Sequence, residues 1–448
     1  MAKRELFGTD GVRGAVGDLL TADLAMRLGR AAALAVEADR PRTLIVRDTR
    51  ESGPMLEAAL ASGIASGGGD AMTTGVLPTP AASVLARRLD FDLAAIVSAS
   101  HNPYGDNGIK FFDRHGRKLS DQAEAAVEAH VHAGGARAPG AESGSCGRVR
   151  ALNGALDDYL RELESRFDLS LAGRRIVLDC ANGATYASAP LLFERLGAEV
   201  DVIGCEPDGV NINEGCGSTH MDAIARRVRE GGHELGFAFD GDGDRMLAVA
   251  GDGTVVDGDE IIAEVALDLK RRGELPGNGV AVTVMTNFGF HTAMRDAGIE
   301  VATTDVGDRH VVDELSDRGW ALGGEQSGYI VDMRLIPSGD GIAAALLLLQ
   351  ALGERPLRSG AVMTKLPQVL TNVPVAERDA LSTASSVWEA VESESAELAG
   401  EGRVLVRPSG TEQVVRVMVE APTQERCETI CARVAAVVER ELGRGVVA

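Results

Sequence analysis

The sequence predicts an α/β fold in which three similar α/β segments follow one another and a smaller α+β segment ends the chain. At 448 residues the chain is too long for one hydrophobic core, since single cores stop growing at roughly 250–300 residues. Short apolar runs alternate with helical patterns between residues 24 and 352, which favours mixed, largely parallel sheets. We place the segments at 1–150, 151–253, 254–367 and 368–448.

The first segment is expected to carry the reacting group on a loop that follows a buried strand. The apolar run Leu93–Val97 ends in Ser98–Pro103, a cluster of small polar residues with a chain-breaking proline. We interpret Ser100 as a nucleophile that carries a phosphoryl group, because a strand that ends in a polar loop presents side chains where ligand sites usually lie. A turn without chemistry is the alternative. The strand 109–112 is expected to fold back and to bring Lys110 close to Ser100.

The rest of the first segment alternates helices and strands. Its opening loop, Phe7–Gly14, exposes backbone N–H groups around Arg13 and suits an anion, and a multiple turn is the alternative. The stretch 133–147 is rich in glycine, alanine and serine and is expected to be a linker or an exposed loop. The predicted elements are a helix over 24–36, a strand over 43–46, a helix over 55–65 and a strand over 71–76.

The second segment carries three aspartates at alternate positions after a predicted strand. Asp240, Asp242 and Asp244 are separated by glycines and offer hard oxygen ligands around one point, which suits Mg²⁺ or Ca²⁺. An EF-hand is excluded, because that loop needs glycine and glutamate where this chain has Arg245 and Gly251. An acidic surface turn is the alternative, but clustered carboxylates repel one another unless a cation offsets their charge. The predicted strands here are 176–179, 199–203 and 234–239.

Two further polar loops lie in the third and last segments. Gly324–Gly328 holds Glu325 and Ser327 in one tight turn, which suits sugar hydroxyls or an amine, with a turn that binds nothing as the alternative. Arg407–Glu412 offers hydroxyl groups, backbone N–H groups and a guanidinium, which together can bind a phosphate, and Arg416 can join it. An ordinary hairpin turn is the alternative for this loop. The predicted elements are helices over 260–271 and 341–352, strands over 279–285, 403–406 and 414–419, and a helix after residue 423.

Composition argues against several classes of function. The net charge of −22, from 45 basic and 67 acidic residues, disfavours nucleic acid as a partner, because phosphate backbones attract basic surfaces. No run approaches the roughly 20 apolar residues that span a bilayer, and the first residues lack the apolar core of a signal peptide. We therefore expect no membrane partner and a cytoplasmic location. The six cysteines form no C-x-x-C pair, which argues against zinc-ribbon and thioredoxin sites.

Four motifs occur in the order that is typical of one enzyme superfamily. Ser98–Pro103, Asp240–Arg245, Gly324–Gly328 and Arg407–Glu412 resemble the motifs of the α-D-phosphohexomutases. The opening Phe7–Gly14 looks like the bacterial phosphoglucosamine mutase branch. So do the stretches Asp179–Tyr186 and Val306–Arg309.

The resemblance implies four domains around a central cleft, with one motif from each. It implies that Ser100 is the phosphoserine and that the three aspartates, with an oxygen of its phosphate, hold one Mg²⁺ per chain. His101, Lys110 and Arg245 would surround the reacting phosphate, and the lysine would be a candidate proton shuttle. The substrate contacts that it implies are Arg13, Asp308, Arg309, Glu325, Ser327, Arg407, Ser409, Gly410, Thr411 and Arg416.

The implied reaction converts glucosamine 6-phosphate to glucosamine 1-phosphate through glucosamine 1,6-bisphosphate or a related bisphosphate, and feeds UDP-N-acetylglucosamine synthesis. The alternatives are phosphomannomutase/phosphoglucomutase activity and a non-catalytic sugar-phosphate binder. Gln326 and the N-terminal stretch favour glucosamine, and Ser100 together with the three aspartates argues against a mere binder. Two positions depart from the family pattern: Tyr329 replaces a usual histidine and Gln413 a usual proline. The sequence leaves a homodimer open.

Overall fold

A computed structural model of the chain describes residues 5–8, 10–134, 146–409 and 412–443. The described residues form two compact units, of which the first lies within 1–285 and 299–359 and the second within 286–298 and 360–448. Three mixed sheets lie in the first unit and one antiparallel sheet in the second. The predicted class, three α/β domains and a smaller C-terminal α+β domain, is confirmed. The segment boundaries at 150, 253 and 367 stay a prediction.

The first sheet has six strands in the order β1-β5-β4-β2-β3-β6. Strand β4 consists of five buried apolar residues, as expected for a strand that is covered on both faces. It pairs in parallel with β2 and antiparallel with β5, so the predicted return strand beside the serine loop is confirmed. The elements are β1 (Val12–Ala15), α1 (Ala22–Ala35), β2 (Arg42–Arg47), α2 (Gly53–Ser66), β3 (Asp70–Val76), α3 (Thr79–Arg88), β4 (Leu93–Val97), β5 (Asp106–Asp113), α4 (Asp121–His132) and β6 (Val149–Ala151).

The second sheet has the order β11-β10-β9-β7-β8. Strands β8, β7 and β9 run in parallel, whereas β9 and β10 form an antiparallel hairpin whose connection is the aspartate loop 240–245. All five residues of β9 are buried. The elements are α5 (Ala155–Arg166), β7 (Arg175–Asp179), α6 (Ser188–Arg195), β8 (Glu199–Ile203), α7 (Asp222–Gly231), β9 (Leu235–Phe239), β10 (Met246–Ala250) and β11 (Val255–Val256).

The third sheet has the order β13-β12-β14-β15, and only its last pair is antiparallel. Helix α8 begins where the Asp257 side chain accepts the Glu260 N–H and ends at Gly273 in the left-handed conformation, which are a usual start signal and a usual stop signal. Helix α11 is apolar nearly all round and buried, as a core helix must be. The elements are α8 (Gly258–Arg272), β12 (Gly279–Thr283), α9 (Phe288–Asp296), β13 (Glu300–Thr304), α10 (Asp308–Arg318), β14 (Leu322–Gly324), β15 (Ile330–Asp332) and α11 (Gly341–Leu352).

The second unit contains α9 and an antiparallel sheet in the order β16-β18-β17. Alternate residues of β18, Val415, Val417 and Val419, are buried against α13 together with Cys427 and Cys431. Among the described residues, no helix is both long and apolar enough to cross a bilayer. The elements are β16 (Gln368–Pro374), α12 (Ser385–Leu398), β17 (Arg403–Pro408), β18 (Val414–Glu420) and α13 (Gln424–Leu442).

Candidate active site

The serine loop and the aspartate loop are in direct contact, although 140 residues separate them in the chain. The Ser100 hydroxyl donates a hydrogen bond to Asp240 Oδ2 at 2.5 Å. Both loops follow buried strands, β4 and β9. At Gly241 any Cβ would collide with the carbonyl oxygen of Ser100. Glycine between the aspartates is therefore what allows the two loops to approach each other.

The three aspartates form a buried cluster that fits a divalent cation. One carboxylate oxygen from each of Asp240, Asp242 and Asp244 lies within 4.8 Å of the others. Within the described part of the chain, Asp242 Oδ1 and Asp244 Oδ1 are buried without a hydrogen-bond partner, a state that is costly without a cation. Burial and the neighbouring carboxylates raise the pKa of Asp240 well above its ordinary value and the pKa of Asp244 to about 6. The donor set suits Mg²⁺, which prefers oxygen ligands.

Asp242 is held by two donors from the first sheet and its helices. Lys110 Nζ lies 2.8 Å from Asp242 Oδ2, and Thr79 Oγ1 donates to the same oxygen at 2.6 Å. Burial acts to raise the pKa of Asp242, but Lys110, Thr79 and Arg13 together outweigh burial, and the pKa lies below its ordinary value. Thr79 also donates its backbone N–H to the Asp242 carbonyl at 2.8 Å. No sequence pattern indicated this role for Thr79.

Lys110 is a buried cation in this arrangement. Its ammonium contacts Asp242 and also lies 3.5 Å from Asp244 Oδ2. Burial acts to lower the pKa of Lys110, but Asp242, Asp10 and Asp244 outweigh burial and raise it well above the ordinary value. Lys110 therefore holds its proton at neutral pH. It is equipped to donate a proton or to neutralise a phosphate rather than to act as a base.

His101 lies beside the serine hydroxyl, and Arg245 lies beside His101. His101 Nδ1 lies 3.3 Å from Ser100 Oγ and 3.5 Å from Arg245 Nη1. Burial, together with Arg245 and Arg13, lowers the pKa of His101 below its ordinary value, which leaves the ring neutral at pH 7. Arg245 Nε is buried and makes no hydrogen bond within the described residues. A guanidinium with an open donor, next to the histidine that contacts Ser100, is suited to a phosphoryl group.

Arg13, Asp308 and Arg309 make ion pairs within the chain. Asp10 pairs with Arg13 and Lys118, and Lys118 also pairs with Asp308. Arg309 pairs with Asp121 and with Glu124 at 3.0 Å, both on α4. Lys118, Asp308, Arg309 and Tyr329 are among the residues that line a cavity of about 540 Å³. The substrate contacts of Arg13, Asp308 and Arg309 stay predictions, and their partners Asp10, Lys118, Asp121 and Glu124 were not expected from the sequence.

The glutamate loop is joined to the aspartate loop by backbone contacts. Tyr329 forms an antiparallel bridge with Arg245, and the Met246 N–H donates to the Gly328 carbonyl at 3.0 Å. Glu325 Oε1 accepts the Gly307 N–H at 3.0 Å, and its other oxygen accepts the Ser327 hydroxyl at 3.2 Å. These bonds fix the orientation of the Glu325 carboxylate.

Tyr329, at the position where the family pattern has histidine, is buried and only 3% exposed. Its ring packs on Gly339, where a Cβ would meet two of its ring carbons. Burial, with Asp308 and Asp244 nearby, raises the pKa of Tyr329 well above the ordinary value. The phenol therefore stays neutral and is a poor substitute for a histidine in proton transfer.

The predicted phosphate loop lies in the second unit. Arg407 on β17 faces Arg416 on β18, and Arg416 Nη2 lies 3.5 Å from Ser409 Oγ. Arg378 donates to the Ser409 carbonyl at 2.8 Å, a contact that sequence spacing could not indicate. Gly410 and Thr411 lie outside the described residues. The arginines around Ser409 are typical of a phosphate site.

Comparison with known proteins covers nearly the whole chain. Residues 4–138, 157–253 and 257–370 match the α/β/α domains I, II and III of phosphoglucomutase/phosphomannomutase, and residues 370–437 match its C-terminal domain. The phosphoglucosamine mutase of Paenarthrobacter aurescens is 48% identical over 447 residues, which cover 98% of both chains. That of Mycolicibacterium smegmatis is 48% identical over 445 residues, covering 96% of this chain and 98% of the relative.

Solved structures share the fold. A phosphoglucomutase/phosphomannomutase family protein of Burkholderia thailandensis has a TM-score of 0.82 at 24% identity, over 97% of both chains. The N-acetylphosphoglucosamine mutase of Aspergillus fumigatus, crystallised with GlcNAc-6P and magnesium, has a TM-score of 0.62 at 17% identity, over 98% of this chain and 96% of that one. The four domain matches and the 48% identity confirm the resemblance. The chain belongs to the phosphoglucomutase/phosphomannomutase family, the α-D-phosphohexomutases.

Proposed function

We propose that this chain is a phosphoglucosamine mutase that interconverts glucosamine 6-phosphate and glucosamine 1-phosphate. The observation that carries the proposal is the contact between the Ser100 hydroxyl and Asp240 at 2.5 Å, inside a cluster of three buried carboxylates. A sugar-phosphate binder needs neither a buried nucleophile nor a metal cluster. Relatives that are 48% identical over almost their full length and are named phosphoglucosamine mutase support the choice of sugar.

In the proposed reaction, phosphorylated Ser100 gives its phosphoryl group to the C1 oxygen of the substrate. The P–O bond to Ser100 breaks and a P–O bond to C1 forms, while the proton of the C1 hydroxyl passes to the serine oxygen by way of Lys110, which donates its proton to the serine oxygen and takes up the one from C1. The resulting 1,6-bisphosphate turns over, and its 6-phosphoryl group returns to Ser100 while the proton of the Ser100 hydroxyl passes to the C6 oxygen by the same route. Phosphoryl transfer relies on positioning and charge neutralisation more than on covalent chemistry.

The residues of the site have separate tasks in this scheme. Asp240, Asp242 and Asp244, with the phosphate of Ser100, would hold one Mg²⁺. When bound, this ion supplies positive charge for the transferring phosphoryl group. Arg245 and protonated Lys110 would add charge at the same place, with Lys110 as the proton donor to the departing serine oxygen.

Substrate orientation is assigned to the remaining loops. Glu325 and Ser327 would bind sugar hydroxyls or the amine. Arg407, Ser409 and Arg416, with Gly410 and Thr411, would hold the phosphate that is not reacting. The predicted cytoplasmic location and the absence of nucleic-acid and membrane partners stay predictions.

A coupled assay tests the proposal. The purified chain, with Mg²⁺ and a hexose 1,6-bisphosphate as activator, is offered glucosamine, glucose and mannose 6-phosphates in parallel. We expect turnover to be fastest with glucosamine 6-phosphate. We expect Ser100→Ala to remove turnover while thermal unfolding stays close to that of the wild type. A preference for glucose or mannose would replace the sugar assignment, and mutase activity in Ser100→Ala would refute the nucleophile.

A further inference from the structure

Arg50 is a fully buried arginine that uses all its donors close to the serine loop. Its side chain is 0% exposed. Nη2 donates to the carbonyls of Ser100 and Asn102 at 2.9 and 2.8 Å, and Nη1 donates to the carbonyls of Pro103 and Asp106, the latter at 3.0 Å. The fifth donor, Nε, goes to Asp48. A guanidinium has five N–H donors in fixed geometry, and here four of them bind the loop 100–106.

Asp48 acts on the backbone N–H of Ser100 through the Ser98 hydroxyl, whereas Arg50 binds the Ser100 carbonyl. Asp48 Oδ2 accepts the Arg50 Nε–H at 2.9 Å and the Ser98 hydroxyl at 2.6 Å. The Ser98 hydroxyl oxygen in turn accepts the backbone N–H of Ser100 at 2.9 Å. Asn213 adds a further donor to the Ser100 carbonyl at 2.9 Å. Both backbone polar groups of Ser100 are thus fixed by buried side chains.

The backbone conformation of Ser100 explains why so many bonds converge on it. Its φ is +51°, in the left-handed region that residues with a side chain rarely adopt. Such a conformation persists only where the surroundings over-determine it. In this left-handed conformation, Ser100 Oγ reaches Asp240, and Gly241 packs against the Ser100 carbonyl.

We propose that Asp48 and Arg50 are positioning residues that hold Ser100 in its left-handed conformation and thereby aim its oxygen at the metal cluster. The inference rests on the proposed function, in which Ser100 carries the phosphoryl group. Neither residue is assigned a contact with substrate. Their loss is expected to slow phosphoryl transfer and to leave substrate affinity largely unchanged, because the loops assigned to the sugar and the distal phosphate are untouched.

Three variants of the full chain test this. Arg50→Met removes all five donors, Arg50→Lys keeps the charge with at most three donors, and Ser98→Ala removes the acceptor of the Ser100 N–H. Arg47→Met is the matched control, since Arg47 lies on the same strand end and its bonds go to Glu57 and to the Asp48 carbonyl. For each protein kcat, KM, phosphate on Ser100 by intact mass, and hydrogen exchange of peptide 98–106 are measured well below its unfolding temperature.

We expect Arg50→Met to lower kcat about 100-fold, the loss that follows a misplacement of about 1 Å. KM should stay within about twofold, the pattern of an interaction that acts in the transition state. Arg50→Lys should fall between wild type and Arg50→Met, and Ser98→Ala should also lose kcat. Exchange over 98–106 should accelerate in all three variants, while Arg47→Met matches the wild type.

Wild-type kcat in folded Arg50→Lys and Ser98→Ala, or unchanged exchange in both, would overturn the inference. A rise in KM as large as the fall in kcat would also overturn it. These two milder variants keep the test decisive if Arg50→Met does not fold. The exchange measurement needs no substrate, so a wild type without mutase activity would refute the proposed function and still leave the positioning role testable.

Discussion

Replacing Thr79 by valine is expected to weaken metal binding without unfolding the protein. Thr79 lies at the first position of α3, and its hydroxyl donates to Asp242 Oδ2 at 2.6 Å from a site that is 1% exposed. Valine keeps the shape of threonine and removes only the donor. The backbone N–H of residue 79 still reaches the Asp242 carbonyl, so the two loops stay joined.

The size of the effect follows from the charge on the acceptor. A hydrogen bond to a charged group contributes about 1.5–3 kcal/mol, and removing a partner of a metal ligand commonly costs about 10–100-fold in affinity. Lys110 still donates to the same oxygen at 2.8 Å and keeps the carboxylate partly oriented. We therefore expect Mg²⁺ affinity to fall by about tenfold, at the lower end of that range.

The measurement is a calorimetric titration of Mg²⁺ into the full chain, together with the Mg²⁺ dependence of turnover. Ser83→Ala is the matched control, because Ser83 lies buried on the same helix and its hydroxyl donates to the Gly116 carbonyl at 2.8 Å. Ser83→Ala removes a buried hydroxyl hydrogen bond from the same helix, but one whose acceptor is a neutral backbone carbonyl and not a metal ligand. Equal Mg²⁺ affinity in Thr79→Val and the wild type, or an equal loss in Ser83→Ala, would show that the reasoning is wrong.

Three other perturbations have defined outcomes. Asp242→Asn removes the charge of a metal ligand and should cost several kcal/mol of transition-state stabilisation, which lowers kcat roughly 100-fold or more. Full turnover by this variant would contradict the metal site. Full turnover by the wild type in excess chelator would contradict it as well. Tyr159→Phe removes the hydroxyl that lies 3.0 Å from Asp340 Oδ2 and should lower the free energy of unfolding in urea by about 1–3 kcal/mol without changing KM. Burial raises the pKa of Asp340 from 3.8 to about 6, so the folded state binds the proton more tightly than the unfolded state does. The free energy of unfolding should therefore fall by about 2–3 kcal/mol as the pH rises from about 4 to about 6. Asp340→Asn should lack this slope, and identical pH profiles of unfolding in both proteins would refute the assignment.

Much of the secondary structure could be predicted because the patterns are local. The run of five apolar residues at Leu93–Val97 is β4 without a shift, and the predicted helix 341–352 is α11. Other elements differ by a few residues at their ends, as for α8, where the cap at Asp257 starts the helix two residues before the prediction. The predicted strand 279–285 ends early at Thr283, because the chain turns there and the Met285 N–H bonds the Thr283 hydroxyl at 3.3 Å.

The candidate site could be predicted only in part. The aspartate loop could be recognised in the sequence, because three carboxylates within five residues repel one another unless a cation offsets their charge. Thr79 does not, because it is 163 residues from Asp242 in the chain. Asp48 and Arg50 directly follow β2 in the sequence, and parallel strands place the loops that follow them at one edge of a sheet. What the pattern could not indicate is that Arg50 binds backbone carbonyls rather than a ligand.

The fold class, the family and the chemical character of the site could be predicted from the sequence, because apolar periodicity and short motifs are properties of neighbouring residues. Which charges are available at the site depends on how the chain folds. The tertiary structure pairs Arg309 with α4 and Asp308 with Lys118, keeps Lys110 protonated between carboxylates, and leaves oxygens of Asp242 and Asp244 open. Ion pairing and burial depend on residues that are distant in the chain, and only the folded chain brings them within a few ångströms of each other.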